Sequence, residues 1–341
     1  MTTLTRLSIL DQSPISEGST NAEALQCTIE LAQVADTYGY ERYWVAEHHG
    51  STVLACTSPE ILIAVIASRT KTIRVGSGGI LLPHYSPFKV AEVFSVLSSL
   101  FPARIDLGIG RTTGGGPATT HALQRDRRYS PPDDFTESVR ELISLQECRL
   151  PRTLQPASVR GLFPNSAPPP ELWLLGSSAS SGALAGDLGL RYAFADFIAP
   201  DGAAATDAYR ERIRVGAYAR PQTIVAVAVV CAPSDEEASY LAQSSRVFTY
   251  LNPNDCPSRV PSPEAASVIL AGAFAPTESH FTGRHTIVGS PRTVRDGIEA
   301  SAAKYGADEV MIVTTMYDPR ARIRSYALIA REFGLSAHKG S

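Results

Sequence analysis

Four short polar or glycine-rich segments each follow a predicted β-strand, and they hold the residues best suited to chemistry. They are Glu47-His48-His49, Ser77-Gly78-Gly79, the segment 108–116 with Arg111, and the segment 176–181 with its serines. In proteins that alternate strands and helices, ligands and reacting groups collect where parallel strands end. The four segments therefore predict a single site to which several strands contribute.

The serine-rich segment predicts an anion-binding site. Ser177, Ser178 and Ser181 fall at the start of a predicted helix, where backbone N–H groups and the helix dipole favour negative charge. Arg111 follows the preceding strand and could add a bidentate guanidinium. A phosphate is the simplest ligand for this combination. The alternative interpretation is that Ser177 only caps its helix.

The histidines that follow the second strand do not have the spacing of a metal site. Glu47, His48 and His49 are adjacent, and neighbouring strand residues point in opposite directions, so one metal ion would reach only alternate members. The sequence also offers no cysteine pair as further ligands. We therefore predict no metal, and we interpret a histidine here as a hydrogen-bond donor or base toward an organic ligand. A packed polar histidine is the alternative.

The elements that must position these segments alternate regularly along the chain. The predicted strands are 4–10, 42–46, 73–78, 105–109, 172–175, 190–195, 223–231 and 309–314. Eight strands that alternate with helices predict an α/β fold, the (β/α)8 TIM barrel. An open doubly wound sheet is the alternative, but that fold would need a glycine-rich phosphate turn after the first strand, where this chain has Asp11-Gln12-Ser13-Pro14.

One barrel domain is predicted to cover 1–341, with two insertions. A proline-rich insertion at 150–170 follows the fourth strand, and a polar insertion at 251–289 follows the seventh. Helices are bounded by capping signals, such as Thr20 before and Gly39 after the first helix. The same reasoning predicts one helix from Ser234 to about Tyr250 and a last helix at 323–333.

Composition excludes several classes of protein. The 341 residues carry a net charge of −3, which argues against nucleic-acid binding and against a polybasic membrane protein. No apolar run reaches the ~18 residues of a membrane span, and the start of the chain lacks a secretory signal pattern. Five cysteines without pairing motifs indicate reduced thiols. We expect a cytoplasmic protein.

Two predicted helices, 59–69 and 87–100, are apolar on nearly all sides. A barrel helix needs only one buried face, so this pattern predicts a second burial, in a homodimer interface. Ile63 is expected to point outward into that interface. The alternative is that both helices are simply over-hydrophobic core helices.

Several motifs resemble the bacterial luciferase-like flavin-dependent monooxygenases, in order and with matching spacing over most of the chain. The similarity is closest to the single-chain branch from bacterial polyketide pathways. The motifs are Tyr43-Trp44-Val45-Ala46-Glu47-His48-His49, Arg74-Val75-Gly76-Ser77-Gly78-Gly79, Leu82-Pro83, Ala103-Arg104-Ile105-Asp106-Leu107-Gly108-Ile109-Gly110-Arg111, Leu174–Ser181 and Val288-Gly289-Ser290-Pro291.

The resemblance implies a two-component monooxygenase with this barrel. A separate flavin reductase would supply reduced FMN, which with O2 forms a flavin C4a-(hydro)peroxide. That species would hydroxylate or epoxidise a small organic substrate, a polyketide or another secondary metabolite. The resemblance leaves two alternatives: a reductase or dehydrogenase that uses the deazaflavin F420, and a flavin-binding protein without catalysis.

Carried over residue by residue, the resemblance assigns roles to the polar segments. His48 matches the catalytic histidine, whose ordinary pKa of ~6.5 would let it change protonation near neutral pH. Gly78 and Gly79 match a non-prolyl cis peptide under the flavin ring. Gly110 stands at the flavin where luciferase has a reactive cysteine, which weakens any expectation of light emission. The phosphate ligands match Arg111, Ser178 and Ser181, and the segment 272–286 matches the mobile lid loop.

Overall fold

In a computed structural model of the chain, the residues described are 6–124, 134–147, 168–199, 202–213, 222–251, 256–272 and 286–336. Three predictions fall largely or wholly outside these residues. They are the start of the first strand, the proline-rich insertion at 150–170 and the lid loop at 272–286.

Eight parallel strands close into a barrel, as predicted. The described strands are Leu7–Asp11 (β1), Arg42–Val45 (β2), Arg74–Leu81 (β3), Ile105–Gly110 (β4), Glu171–Gly176 (β5), Arg191–Ala195 (β6), Thr223–Cys231 (β7), Thr286–Gly289 (β8) and Glu309–Val313 (β9). From β1 to β7, each strand pairs with the next. The ring closes because β7 pairs with β9 and β9 pairs with β1. The short β8 lies outside this ring and pairs with the last four residues of β7.

Helices surround the barrel. The described α-helices are Asn21–Tyr38 (α1), Pro59–Arg69 (α2), Pro87–Leu100 (α3), Pro117–Leu123 (α4), Phe135–Gln146 (α5), Ala179–Asp187 (α6), Ala203–Arg212 (α7), Asp235–Leu241 (α8), Gln243–Tyr250 (α9), Pro263–Gly272 (α10), Pro291–Tyr305 (α11) and Pro319–Glu332 (α12). A 3-10 turn, Leu82–His84, follows β3.

Local sequence signals explain where several helices begin and end. Thr20 caps α1 in a capping box with Glu23, and Gly39 ends it in the left-handed conformation. Proline occupies the first turn of α2, α3, α11 and α12. An N–H group at that position has no partner within the helix, so proline's lack of one costs no hydrogen bond.

Three sequence predictions about elements were wrong in extent, and two described elements, β8 and α4, were missed. The single helix predicted from Ser234 is two helices, α8 and α9, which meet at Ala242. The last helix begins at Pro319, because Asp318 caps it and proline starts it. The third strand continues to Leu81. The insertion at 251–289 ends in a strand, β8, and α4 was not predicted.

A buried ion-pair network fills the amino-terminal end of the barrel. The Arg42 guanidinium lies 2.7 Å from an Asp106 carboxylate oxygen and 2.8 Å from one of Glu309. Arg42 is 2% exposed, and its face lies over the Trp173 ring, 5.0 Å from the centroid. Because the described residues pack this end of the barrel, the space for a ligand lies toward the carboxyl end.

The structure corrects one prediction about the apolar helices α2 and α3. Ile63 is fully buried in the core and does not face outward. The outward apolar positions are Ile61, Val96 and Leu100, which are 64%, 59% and 63% exposed. Within the described ranges, no helix combines the length and the hydropathy needed to span a membrane.

Candidate active site

A cavity opens at the carboxyl ends of the barrel strands. The four polar or glycine-rich segments that follow the strands meet there. Six of the eight predicted site residues line it: His48, Gly78, Gly79, Gly110, Arg111 and Ser177. Much of the remaining lining is apolar and comes from the barrel interior: Leu10, Trp44, Ala46, Leu175, Ala193, Phe197, Ala226 and Met311. The cavity exists because several inward-facing residues at this level are alanine or glycine.

His48 lies three residues beyond the end of β2 and has a neutral side chain. Its backbone N–H donates to the Cys56 carbonyl oxygen at 3.0 Å, while its side-chain Nδ1 is buried without a hydrogen-bond partner in the described chain. Burial, with a smaller contribution from the charge of His49, lowers the pKa of His48 to about 4. The expectation that His48 titrates near neutral pH is therefore wrong. At neutral pH it is an uncharged imidazole that can donate one hydrogen bond and accept another.

Glu47 organises the groups around His48. Its side chain is fully buried. One carboxylate oxygen accepts from the Tyr85 hydroxyl at 2.6 Å and lies 2.6 Å from His49 Nε2. The other accepts from the Leu81 backbone N–H at 2.9 Å. Burial and the bond to Glu47 raise the pKa of the Tyr85 hydroxyl. Glu47 thus joins the end of β2 to the end of β3.

Glycines let the strand backbones approach closely beneath the cavity. The Gly78-Gly79 peptide bond is cis. A Cβ on Gly78 would lie 2.4 Å from Leu10 Cδ1, and one on Gly79 would lie 2.8 Å from the Gly108 carbonyl oxygen. A Cβ on Gly110 would meet only a Leu81 side chain, at an ordinary 3.6 Å. Backbone packing therefore requires glycine at 79, a side chain at 78 would displace Leu10, and Gly110 leaves space open to the cavity.

The amino terminus of α6 forms the polar end of the site next to Arg111. Ser178, rather than Ser177, is the helix cap, and Ser178 and Ser181 form a reciprocal capping box. The Ser181 hydroxyl also lies 2.9 Å from the Tyr192 hydroxyl. Ser177 and Arg111 both face the cavity. Ser178 and Ser181 do not line it directly; they shape the helix terminus behind Ser177.

Sequence reasoning missed the residues that support the site. It considered Glu47 only as a metal ligand, which it rejected. The structure shows a buried carboxylate that accepts from Tyr85 and Leu81 and lies 2.6 Å from His49 Nε2. Tyr192 and Gln12 were not predicted as part of the site, although Gln12 lines the cavity. A signal for Gln12 was present, since it directly follows the first strand. Among the described residues, no group of histidine, cysteine and carboxylate side chains could hold a metal ion.

Comparison with known proteins identifies the same family along nearly the whole chain. The family described as luciferase-like monooxygenase matches residues 5–309. The N-acetyl-S-alkylcysteine monooxygenase of Bacillus subtilis is 35% identical over 328 residues, which are 95% of this chain and 97% of that protein.

Two solved structures share the architecture. Apo-MsnO8 has a TM-score of 0.88 at 40% identity, covering 98% of this chain and 99% of its own. The oxygenating constituent of 3,6-diketocamphane monooxygenase from Pseudomonas putida, a type II Baeyer-Villiger monooxygenase in complex with FMN, has a TM-score of 0.74 at 22% identity. It covers 97% of this chain and 98% of its own, and at this identity it supports the fold alone.

Proposed function

The chain belongs to the luciferase-like monooxygenase family, and we propose that it is the oxygenase of a two-component system that uses reduced FMN and O2. Its substrate would be a small organic molecule, a polyketide or another secondary metabolite, which it would hydroxylate or epoxidise. The single observation that carries the proposal is the cavity that His48, Gly110, Arg111 and Ser177 line together.

The residues at the mouth of the barrel fit FMN. Gly78 and Gly79 line the cavity with backbone alone, against which a flat ring can lie. Arg111 supplies a guanidinium for the phosphate, and the amino terminus of α6 beside Ser177 supplies the positive end of the helix dipole. Among the described residues, the buried His48 Nδ1 has no hydrogen-bond partner, which supports a ligand at this part of the site.

When bound, reduced FMN supplies the two electrons for splitting O2, so that one oxygen atom enters the substrate and the other leaves as water. The protein binds and orients the flavin and the substrate, and it shields the reacting groups from water. The apolar walls formed by Leu10, Trp44, Leu175 and Met311 exclude water from the reacting groups. Neutral His48 can donate a hydrogen bond to the oxygen being transferred or accept a proton from the substrate.

Three further features belong to the proposal. A separate reductase would deliver reduced FMN by diffusion, in line with the name of the P. putida protein as an oxygenating constituent. Ile61, Val96 and Leu100 would form a homodimer interface. We place the protein in the cytoplasm, which agrees with free thiols at the four described cysteines.

The test is oxygen transfer under labelled O2. The protein is mixed with reduced FMN under 18O2 in the presence of an N-acetyl-S-alkylcysteine or a polyketide. We expect one labelled oxygen in the product, and H2O2 in place of product in a His48→Ala variant that still binds FMN. Hydride transfer from F420, with no 18O in the product, would support the reductase alternative. The absence of flavin-dependent O2 consumption would support a non-catalytic flavin-binding protein.

A further inference from the structure

The loop that follows β4, residues 111–116, begins with Arg111 and ends in three glycines. Glycine-rich backbone loses much conformational entropy when it is ordered. A guanidinium at the start of such a loop binds an anion well only if the loop is ordered beforehand. Side chains from neighbouring elements must therefore hold residues 111–116 in place.

We propose that His84 is a positioning residue for the FMN phosphate, because its imidazole holds the 111–116 loop so that Arg111 faces the cavity. This inference rests on the proposed function, in which Arg111 binds that phosphate. His84 ends the 3-10 turn after β3 and does not line the cavity itself. It would act through the loop and not by touching the flavin.

Both ring nitrogens of His84 are engaged. Nε2 lies 2.8 Å from the Thr113 carbonyl oxygen, and Nδ1 lies 3.3 Å from the Gln124 side-chain nitrogen. Gln124 also donates to the Pro83 carbonyl oxygen at 3.2 Å. A neutral imidazole with its proton on Nε2 satisfies both contacts, donating to Thr113 and accepting from Gln124. The ring thus ties the middle of the loop to the residue that follows α4.

The neighbouring loop after β2 holds the same segment from the other side. The His49 backbone N–H donates to the Gly114 carbonyl oxygen at 2.9 Å. A Cβ on Gly115 would lie 2.8 Å from the His49 carbonyl oxygen, and Gly114 has a positive φ of 56°. The His49 and His84 rings pack edge to face, with centroids 5.5 Å apart. Two successive carbonyls of the loop, at 113 and 114, are therefore fixed by these two histidines.

A pair of matched variants separates the two bonds of His84. The His84→Gln variant places an amide nitrogen near the position of Nε2, so it can still donate to the Thr113 carbonyl oxygen. The His84→Asn variant places its amide near the position of Nδ1 and retains only the contact with Gln124. Equilibrium titration with FMN and with riboflavin, which lacks the phosphate, then reports on the phosphate contact alone. Thermal unfolding checks that each variant is folded at the titration temperature.

We expect His84→Asn to weaken FMN binding by about 3- to 10-fold, the effect of about one neutral hydrogen bond, with riboflavin affinity unchanged. His84→Gln should bind FMN like the wild type. If His84 acts through Arg111, the His84→Asn change should have no further effect on FMN in an Arg111→Ala background.

Three results would overturn the inference: equal losses for FMN and riboflavin, no loss in His84→Asn, or an undiminished loss in the Arg111→Ala background. Failure of the proposed function gives a different pattern. In that case Arg111→Ala itself would not discriminate between FMN and riboflavin, and the role of His84 would be refuted with it.

Discussion

Replacing His48 with Asn should remove a pH-dependent loss of stability that the wild-type protein carries. Burial lowers the pKa of His48 to about 4 in the folded chain, whereas an unfolded histidine has a pKa of ~6.5. Between these values the unfolded chain binds the proton and the folded chain does not, so stability falls as the pH drops from ~6.5 to ~4. Above ~6.5 both forms are neutral and no stability is lost.

The size of the effect follows from the two pKa values. Each pH unit between them is worth about 1.4 kcal/mol, so the full loss below pH 4 is about 3 kcal/mol, and the part between pH 7 and pH 5 is about 2 kcal/mol. Other groups also titrate in this range, so the informative quantity is the difference between wild type and variant.

Urea unfolding at pH 7 and pH 5 measures this difference. The wild-type protein should lose about 2 kcal/mol more unfolding free energy than His48→Asn over that interval. His121, exposed on α4, provides a matched variant that also removes one histidine. An identical pH dependence in wild type and His48→Asn would refute the conclusion that the largely buried His48 side chain is neutral.

Three further outcomes are expected. Arg111→Ala should weaken FMN binding by about 1.5–3 kcal/mol, the worth of a hydrogen bond to a charged group, and leave riboflavin affinity unchanged; equal losses in titration would remove Arg111 from the phosphate site. Ile61→Glu should convert dimers to monomers in sedimentation, whereas Glu at Val268, which is 73% exposed on α10, should not; a monomeric wild type would exclude this interface. Gly108→Ala should destabilise the protein in denaturant unfolding, because its Cβ would lie 2.2 Å from a backbone carbonyl oxygen, whereas Gly110→Ala should be tolerated; equal effects would contradict the packing described.

The barrel was predictable because its signals are local. Apolar runs of strand length alternate with capped helices, and Thr20 and Gly39 mark the ends of α1 as the structure has them. Ile63 shows the limit of this reasoning. In a helix that is apolar on every side, periodicity cannot tell which residues face the barrel, and only the packing places Ile63 inside and Ile61 outside.

Position after a strand predicted which residues meet at the cavity only in part, and it predicted nothing of their electrostatics. Sequence position after a strand was enough to group His48 with Arg111 and Ser177. The lowered pKa of His48 depends on burial by residues distant in the chain. Glu47 depends likewise on Tyr85 and Leu81, which β3 and the turn after it bring within hydrogen-bond distance. Contacts of this kind carry no signature in the spacing of residues.

The central claim, a site for reduced FMN at the carboxyl end of the barrel, is tested most directly by anaerobic titration of the protein with reduced FMN and, separately, with reduced F420. We predict saturable binding of reduced FMN at one site per chain, with weaker binding of F420 and a loss of FMN affinity in Arg111→Ala. Tighter binding of F420 than of FMN, or FMN binding that Arg111→Ala leaves unchanged, would contradict the account.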